Sequence, residues 1–226
     1  MSMQPVHLYA ALLDVLAYKQ RLERDRNFGI LDFQNQLTQA LRILEGVNEA
    51  VFQTQAISDT IILTCRDHAH FPEFLNIIRQ VFIAFLKQGL FVRGGVAYSR
   101  HFSNKSLTYS HAIARAYELE QNKARYPRIV IDKNIVEMYI TGESLPKIEK
   151  QGLLYRENGV YSLQILTRDN WMEVYSSAKD LYKGDNEELK CDDDAFAKHL
   201  RFQRYLLSSP HVITGHNEYI DGIIDV

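Results

Sequence analysis

Cysteine is nearly absent from this chain. The two present in 226 residues, Cys65 in an apolar run and Cys191 beside an acidic triplet, show neither Cys-x-x-Cys nor Cys/His spacing. That argues against a disulfide framework or a zinc site, and both read as free thiols. An excess of one charge is lacking too. The 26 Lys and Arg against 28 Asp and Glu leave a net charge of −2, without the clustered basic surplus that coating a nucleic acid requires. No apolar run reaches the roughly 18 residues that cross a bilayer, and the N-terminus has no charged-then-apolar leader. The expectation is a cytoplasmic protein with neither membrane nor nucleic acid as partner. Repeats, low-complexity tracts and long linkers are missing as well. What the chain does have is 46% hydrophobic residues, enough to bury a full core. Residues 1–140 read as one core, and 141–226 as an extension packed on it, either part of the same domain or a small appendage.

The stretch His7 to Lys19, HLYAALLDVLAYK, organises the rest. Leu8 to Leu13 read as a strand buried on both faces, interrupted by one carboxylate, Asp14. Burying an uncompensated carboxylate costs several kcal/mol, so Asp14 belongs at the strand's end, facing a cation or a metal. A second acid has a similar setting. VFQTQ and TIILTC are strand-like runs joined by a tight connection at Ala56-Ile57-Ser58, and Asp59 opens the second of them.

Between these strands, KQRLERDRNFG is a helix or a charged loop, and three-and-four spacing predicts an amphipathic helix from Asp32 to Leu44, stopping at Gly46. Phe71-Pro72-Glu73 starts a helix with a wide apolar face that runs to Gly89. The strand GLFVRGGVAYS follows, its paired Gly94 and Gly95 predicting a bulge or the close approach of another backbone or a ligand. A helix over 107–121 and the strand RIVID come next. A short helix near 134–139, a hairpin turning at Asn158-Gly159, and helices near 169–183 and 193–208 complete the chain, with Asp192 to Asp194 suited to capping the last. The order β-α-β-β-α-β, then α-β, is that of an α+β, ferredoxin-like core with an αβ extension and a C-terminal hairpin and helices. It implies an antiparallel sheet with its helices on one face.

In such a sheet the end of the first strand faces the hairpin between the second and third, so Asp14 and Asp59 are expected to converge. Paired carboxylates that hold two divalent ions suit in-line attack of an oxygen on a phosphate. On these residues the chain resembles the class III nucleotidyl cyclase catalytic domains. LLDVLAYK matches the family's first motif, an aromatic-x-Asp-Ile-x-Gly-like strand end, and QAISD matches its hairpin motif with Ser58 in place of glycine. VRGGVAYS matches the Arg-x-Gly-Ile-x-x-Gly strand, with Ser99 where glycine is usual. Within the family, YSHAIARAYELEQNKARYPRIVID is most similar to the bacterial pyrimidine cyclases of Pycsar antiphage defence. The likeness covers about residues 6 to 132.

The resemblance implies a homodimeric phosphorus-oxygen lyase with shared active sites. It would turn UTP or CTP into cyclic UMP or cyclic CMP, using two Mg²⁺ or Mn²⁺ ions, for a separate cyclic-nucleotide-sensing effector. It assigns the metals to Asp14, Asp59 and the main-chain carbonyl of Val15. It puts Arg115 at the transition-state arginine and His111 at a position usually asparagine. Base reading falls to Gln55, with Asn104 near a second such position and Gln53 sharing the reading. Arg93 is a phosphate ligand, with Arg125 and Arg128 as competitors. A neutral amide at residue 55, where the purine cyclases carry lysine or glutamate, is compatible with a pyrimidine edge. The alternatives are an adenylate cyclase of the same fold and a catalytically silent nucleotide-binding dimerisation module. A diguanylate cyclase is disfavoured, because the hairpin lacks Gly-Gly-Asp/Glu-Glu-Phe.

Overall fold

β1 (Val6–Val15) lies inside the sheet because its side chains are apolar on both faces. In chain order there follow α1 (Tyr18–Phe28), α2 (Asp32–Leu41), β2 (Phe52–Ile57), β3 (Thr60–Cys65), α3 (Phe71–Lys87), β4 (Val92–Ser103), β5 (Thr108–Ser110), α4 (His111–Lys123), β6 (Ile129–Ile131) and α5 (Lys133–Thr141). A hairpin of β7 (Leu154–Glu157) and β8 (Val160–Leu163) leads to α6 (Trp171–Leu189) and α7 (Asp193–Leu207). This computed structural model describes residues 6–104, 106–142, 148, 151–189 and 192–220, so Cys191 lies outside the described residues.

The strands run in the order β2-β3-β1-β4-β6-β8-β7, with β5 on β4. β1 is antiparallel to β3 and to β4, so the first four strands have the ferredoxin-like arrangement. β6 runs parallel to β4, so the extended sheet is mixed. The tight connection of the first hairpin is shorter than the sequence predicts. Ile57 still pairs with Thr60, leaving Ser58 and Asp59 as the turn, and Ser58 adopts a left-handed φ of 58°. A left-handed non-glycine residue costs about 1 kcal/mol. At the second hairpin Asn158 and Gly159 are both left-handed, at φ 49° and 76°, as an Asn-Gly turn requires.

Side chains alternate across the sheet. Tyr9, Ala11, Leu13 and Val15 share the main core with Phe74, Ile78, Val81 and Phe82 of α3, and with Trp171, Val174, Phe202 and Leu206 of the last two helices. Leu8, Ala10 and Leu12 point the other way, where α4 meets them through Ala112, Ala116 and Leu119. The helices are therefore not confined to one face. α4, the extension helix, covers the face opposite α3. Its small residues let it lie close on β4, and Gly95 is where it comes closest.

A Cβ on Gly95 would stand 2.3 Å from the Ala116 carbonyl oxygen and 2.7 Å from Leu119 Cβ, while one on Gly94 would stand 2.4 Å from the Leu12 carbonyl oxygen. The register across both glycines is unbroken, so the pair marks close backbone approach and not a bulge. Gly95→Ala should lower unfolding free energy by about 2–3 kcal/mol, as overpacking against backbone does. A denaturant midpoint equal to wild type would show that α4 can lift off the strand at little cost.

Candidate active site

The site grows from the last turn of the pleat in β1. Asp14 faces the α4 side, opposite Thr60 on β3 and Arg93 on β4. The hairpin tip is tied to this strand end, because the Val15 amide donates to the Asp59 carbonyl oxygen at 2.9 Å. Asp59 is thereby held beside Asp14, close enough that its charge raises the Asp14 pKa. Asp14 is partly buried, and burial is the larger cause pushing its carboxyl above the ordinary aspartate value. The hydrogen bond from Arg93 and that residue's charge pull the other way.

Arg93 Nε lies 3.1 Å from Asp14 Oδ2 and 2.7 Å from Glu120 Oε1. Glu120 is 1% exposed and sits on α4. Its Oε1 has the ion contact without an aligned hydrogen bond. Burial raises its pKa first, Arg93 and a Gln121 hydrogen bond oppose that, and the charges of Asp14 and Asp59 add to the rise. Two carboxylates, Asp14 and Glu120, thus share one guanidinium, with the charge of Asp59 close to both.

Arg115 is four residues beyond His111 on α4. Its Nε donates to Asp132 Oδ2 at 2.8 Å, its Nη2 to Asp132 Oδ1 at 3.3 Å, and its Nη1 to Glu118 Oε2 at 2.9 Å. These acids hold the guanidinium still more firmly protonated. Within this chain, then, Arg115 is directed to Asp132 and not to the acids of the strand end. His111 is exposed at the start of α4, edge-on to Tyr109 at 5.3 Å.

Gln55 is exposed on β2. It pairs with Ile62, which pairs with Leu12, so it shares the sheet face of Asp14 and lies one cross-strand row away. Gln53 is on the same face a row farther on. Asn104 instead closes a turn, its Oδ1 accepting from the Ser106 and Leu107 amides at 2.9 and 2.8 Å. Arg125 is exposed, and Arg128 donates to the Lys123 carbonyl.

Metal-binding chemistry can be tested against these residues. Among the described residues, no group of three or more His, Cys, Asp or Glu is arranged to hold a metal. Two carboxylates are nonetheless a fitting donor set for Mg²⁺, which commonly takes one or two protein carboxylates and fills its shell with water and substrate phosphate. The like charges of Asp14 and Asp59 repel, and a divalent cation between them would relieve that repulsion.

No family model matches the chain, and no curated protein matches it. Solved structures of cyclases do match. One is the catalytic core of a rhodopsin-guanylyl cyclase with converted specificity, in complex with ATPalphaS, with TM-score 0.45 and 11% identity over 73% of this chain and 99% of the other. Another is the monomeric guanylyl cyclase domain of the RhoGC fusion protein from the aquatic fungus Blastocladiella emersonii, with TM-score 0.46 and 11% identity over 70% of this chain and 95% of the other. A third is a bacterial light-regulated adenylyl cyclase, with TM-score 0.41 and 12% identity over 72% of this chain and 52% of the other. Likeness at this level does not bear on substrate or chemistry, which the chain's own residues must decide.

Two acids at this site do not stand out in the sequence. Glu120 continues the buried stripe of Ala112 and Ala116 at four-residue spacing, and a carboxylate on an apolar stripe is the signal that finds it. Asp132 follows the buried run Ile129 to Ile131 and is itself 1% exposed. It repeats the pattern that singles out Asp14.

Proposed function

We propose that the chain is a nucleotidyl cyclase that converts a pyrimidine nucleoside triphosphate, UTP in preference to CTP, into the 3′,5′-cyclic nucleotide and pyrophosphate. The observation that carries this reading is the pairing of Asp14 with Asp59 at one strand end, locked by the Val15–Asp59 main-chain hydrogen bond. The resemblance of LLDVLAYK and QAISD to the cyclase motifs supports it.

In this proposal Asp14, Asp59 and the Val15 carbonyl hold Mg²⁺ or Mn²⁺. Bound there, the ions would supply a lowered pKa for the attacking 3′-hydroxyl and neutralise triphosphate charge. Arg93 holds Asp14 in place through Nε and keeps its terminal nitrogens for a phosphate oxygen. Arg115, brought by a second copy of the chain, stabilises charge that develops on the α-phosphate, and His111 orients the ribose beside it. Gln55 offers a donor and an acceptor to the base from the same sheet face, while Asn104, whose Oδ1 is taken by a turn at the far end of β4, keeps only its amide NH2 as a second reader. The cyclic product is read as a second messenger by a separate effector in antiviral defence.

Incubating purified protein with each of the four ribonucleoside triphosphates and Mn²⁺, then resolving the products by chromatography, tests the reading. Cyclic UMP should dominate, followed by cyclic CMP, with purine products at least about tenfold lower, because a wrong base leaves polar groups of the site unpaired. A profile led by cyclic AMP would assign an adenylate cyclase. The absence of product from all four would assign a silent nucleotide-binding module.

A further inference from the structure

Asp132 occupies the N-cap position of α5, with the extended backbone that position takes, φ −60° and ψ 137°. An aspartate there ordinarily turns its carboxylate back onto the open N–H groups of the helix's first turn. This one makes no such bond. Its Oδ2 and Oδ1 instead accept from Arg115 Nε and Nη2, at 2.8 and 3.3 Å. We propose that Asp132 is a positioning residue for the reaction, a buried holder that aims the Arg115 guanidinium at the α-phosphate. The inference rests on the nucleotidyl cyclase reading and gives a role to a residue that the resemblance leaves without one.

The holder is rigid. Asp132 is 1% exposed, and its main chain is tied on both sides: its amide donates to the Val96 carbonyl oxygen at 2.8 Å, and its carbonyl accepts from the Ile135 amide at 3.0 Å. Asn134, in the amide orientation that lets its nitrogen donate, adds a bond to Asp132 Oδ1 at 2.7 Å. With its backbone and its neighbours fixed, the carboxylate decides where the guanidinium lies. The side-on fork sets its plane as well as its position, because two N–H···O bonds to one planar carboxylate leave little room to rotate.

The other edge of the guanidinium is left available. Nη1 rests on Glu118, three residues along the same helix, and that side chain is 56% exposed. An ion pair in water of this kind is worth little, so a phosphate oxygen can take Nη1 from Glu118 while Asp132 keeps Nε. One edge is thus held by the fold and one is open to a ligand. A donor fixed in this way meets developing charge without reorienting during the reaction, which is the condition for electrostatic stabilisation of a transition state. An arginine on a free side chain would have to be ordered in every turnover.

The test is a double-mutant cycle on the full chain, with Mn²⁺ and whichever of the four ribonucleoside triphosphates wild type turns over fastest. Asp132→Asn keeps the side chain's shape but loses its charge and half of the fork, so kcat should fall at least about thirtyfold, as a misplaced catalytic group costs. KM should stay within about twofold, because a contact made only in the transition state lowers kcat and kcat/KM together. Arg115→Lys probes the fork from its other side and leaves Asp132 intact. It keeps the charge but cannot pair side-on, and its kcat should match that of Asp132→Asn within about threefold. Glu118→Gln should cost less than about threefold, the scale of an exposed pair. Adding Asp132→Asn to Arg115→Ala should lower kcat by no more than about twofold further, since the holder then has nothing to hold. Additive losses in that double variant, a raised KM with kcat unchanged, or kcat within about threefold of wild type in Asp132→Asn or Arg115→Lys would each overturn the assignment and leave the cyclase reading standing. No turnover of any of the four triphosphates by wild type would remove both.

Discussion

Asp14→Asn and Asp59→Asn proteins are expected to fold and to lose turnover by at least about a hundredfold, since each removes half of the charge that would hold the metals at the phosphate. Folding should survive for an electrostatic reason. Burial and the neighbouring Asp59 raise the folded-state pKa of Asp14, so the folded protein binds that proton more readily than the unfolded chain does. The stabilising contribution of this group is then greatest below the ordinary aspartate value of about 3.9. It declines as pH rises through the folded-state value. Glu120 behaves in the same sense. Asn at position 14 removes the cost of the buried charge and leaves Arg93 paired with Glu120 at 2.7 Å. Thermal melts from pH 4 to 8 should therefore show Asp14→Asn no less stable than wild type at pH 7, with a flatter decline. Turnover at the wild-type rate in either variant would remove the metal assignment, and a large fall in melting temperature would show that Asp14 is needed for the fold.

Mixing two dead proteins should restore activity. If each active site takes its acids from one subunit and Arg115 from the other, an Asp14→Asn homodimer lacks both metal sites and an Arg115→Ala homodimer lacks both arginines. A mixed dimer rebuilds one site of two. With random exchange half the dimers are mixed, so activity should return to about a quarter of wild type by two-fold symmetry. The Arg115–Asp132 contact makes this experiment informative, because within one chain the guanidinium is already bound by a buried acid. No recovery after exchange is confirmed by mass would mean that Arg115 acts in its own subunit or that another arginine has the role.

Much of the fold was legible because local signals agreed with the tertiary arrangement. The apolar run of β1 could only be an interior strand. Phe71-Pro72 opens α3, Asn158-Gly159 turns the second hairpin, and Asp192 caps α7. The side of the sheet taken by α4 was not legible. Its buried positions include Ala112 and Ala116, small enough to pack on either face, and only the fit of Ala116 and Leu119 against Gly95 decides it. At the candidate site, the nearness of Asp14 and Asp59 follows from a strand end meeting a hairpin tip, and that is topology. The partners of the arginines are a different kind of information. Glu120 reaches Arg93 across two elements, and Asp132 lies 17 residues from Arg115. Such pairs depend on side-chain placement that no periodicity encodes.

The central position of β1 has a consequence for how the protein is made. Its nearest pairing partner on β3 is 46 residues downstream, at Thr60, and its partners on β4 begin only at Val92. During synthesis, at about 5–20 residues per second, this apolar strand leaves the ribosome seconds before either neighbour exists. Until then both of its faces and both of its edges are open to any sticky surface, including the same strand of another nascent chain. Asp14 is the only charge between Leu8 and Tyr18. A single charge at the end of such an apolar run is the kind of feature that limits that pairing.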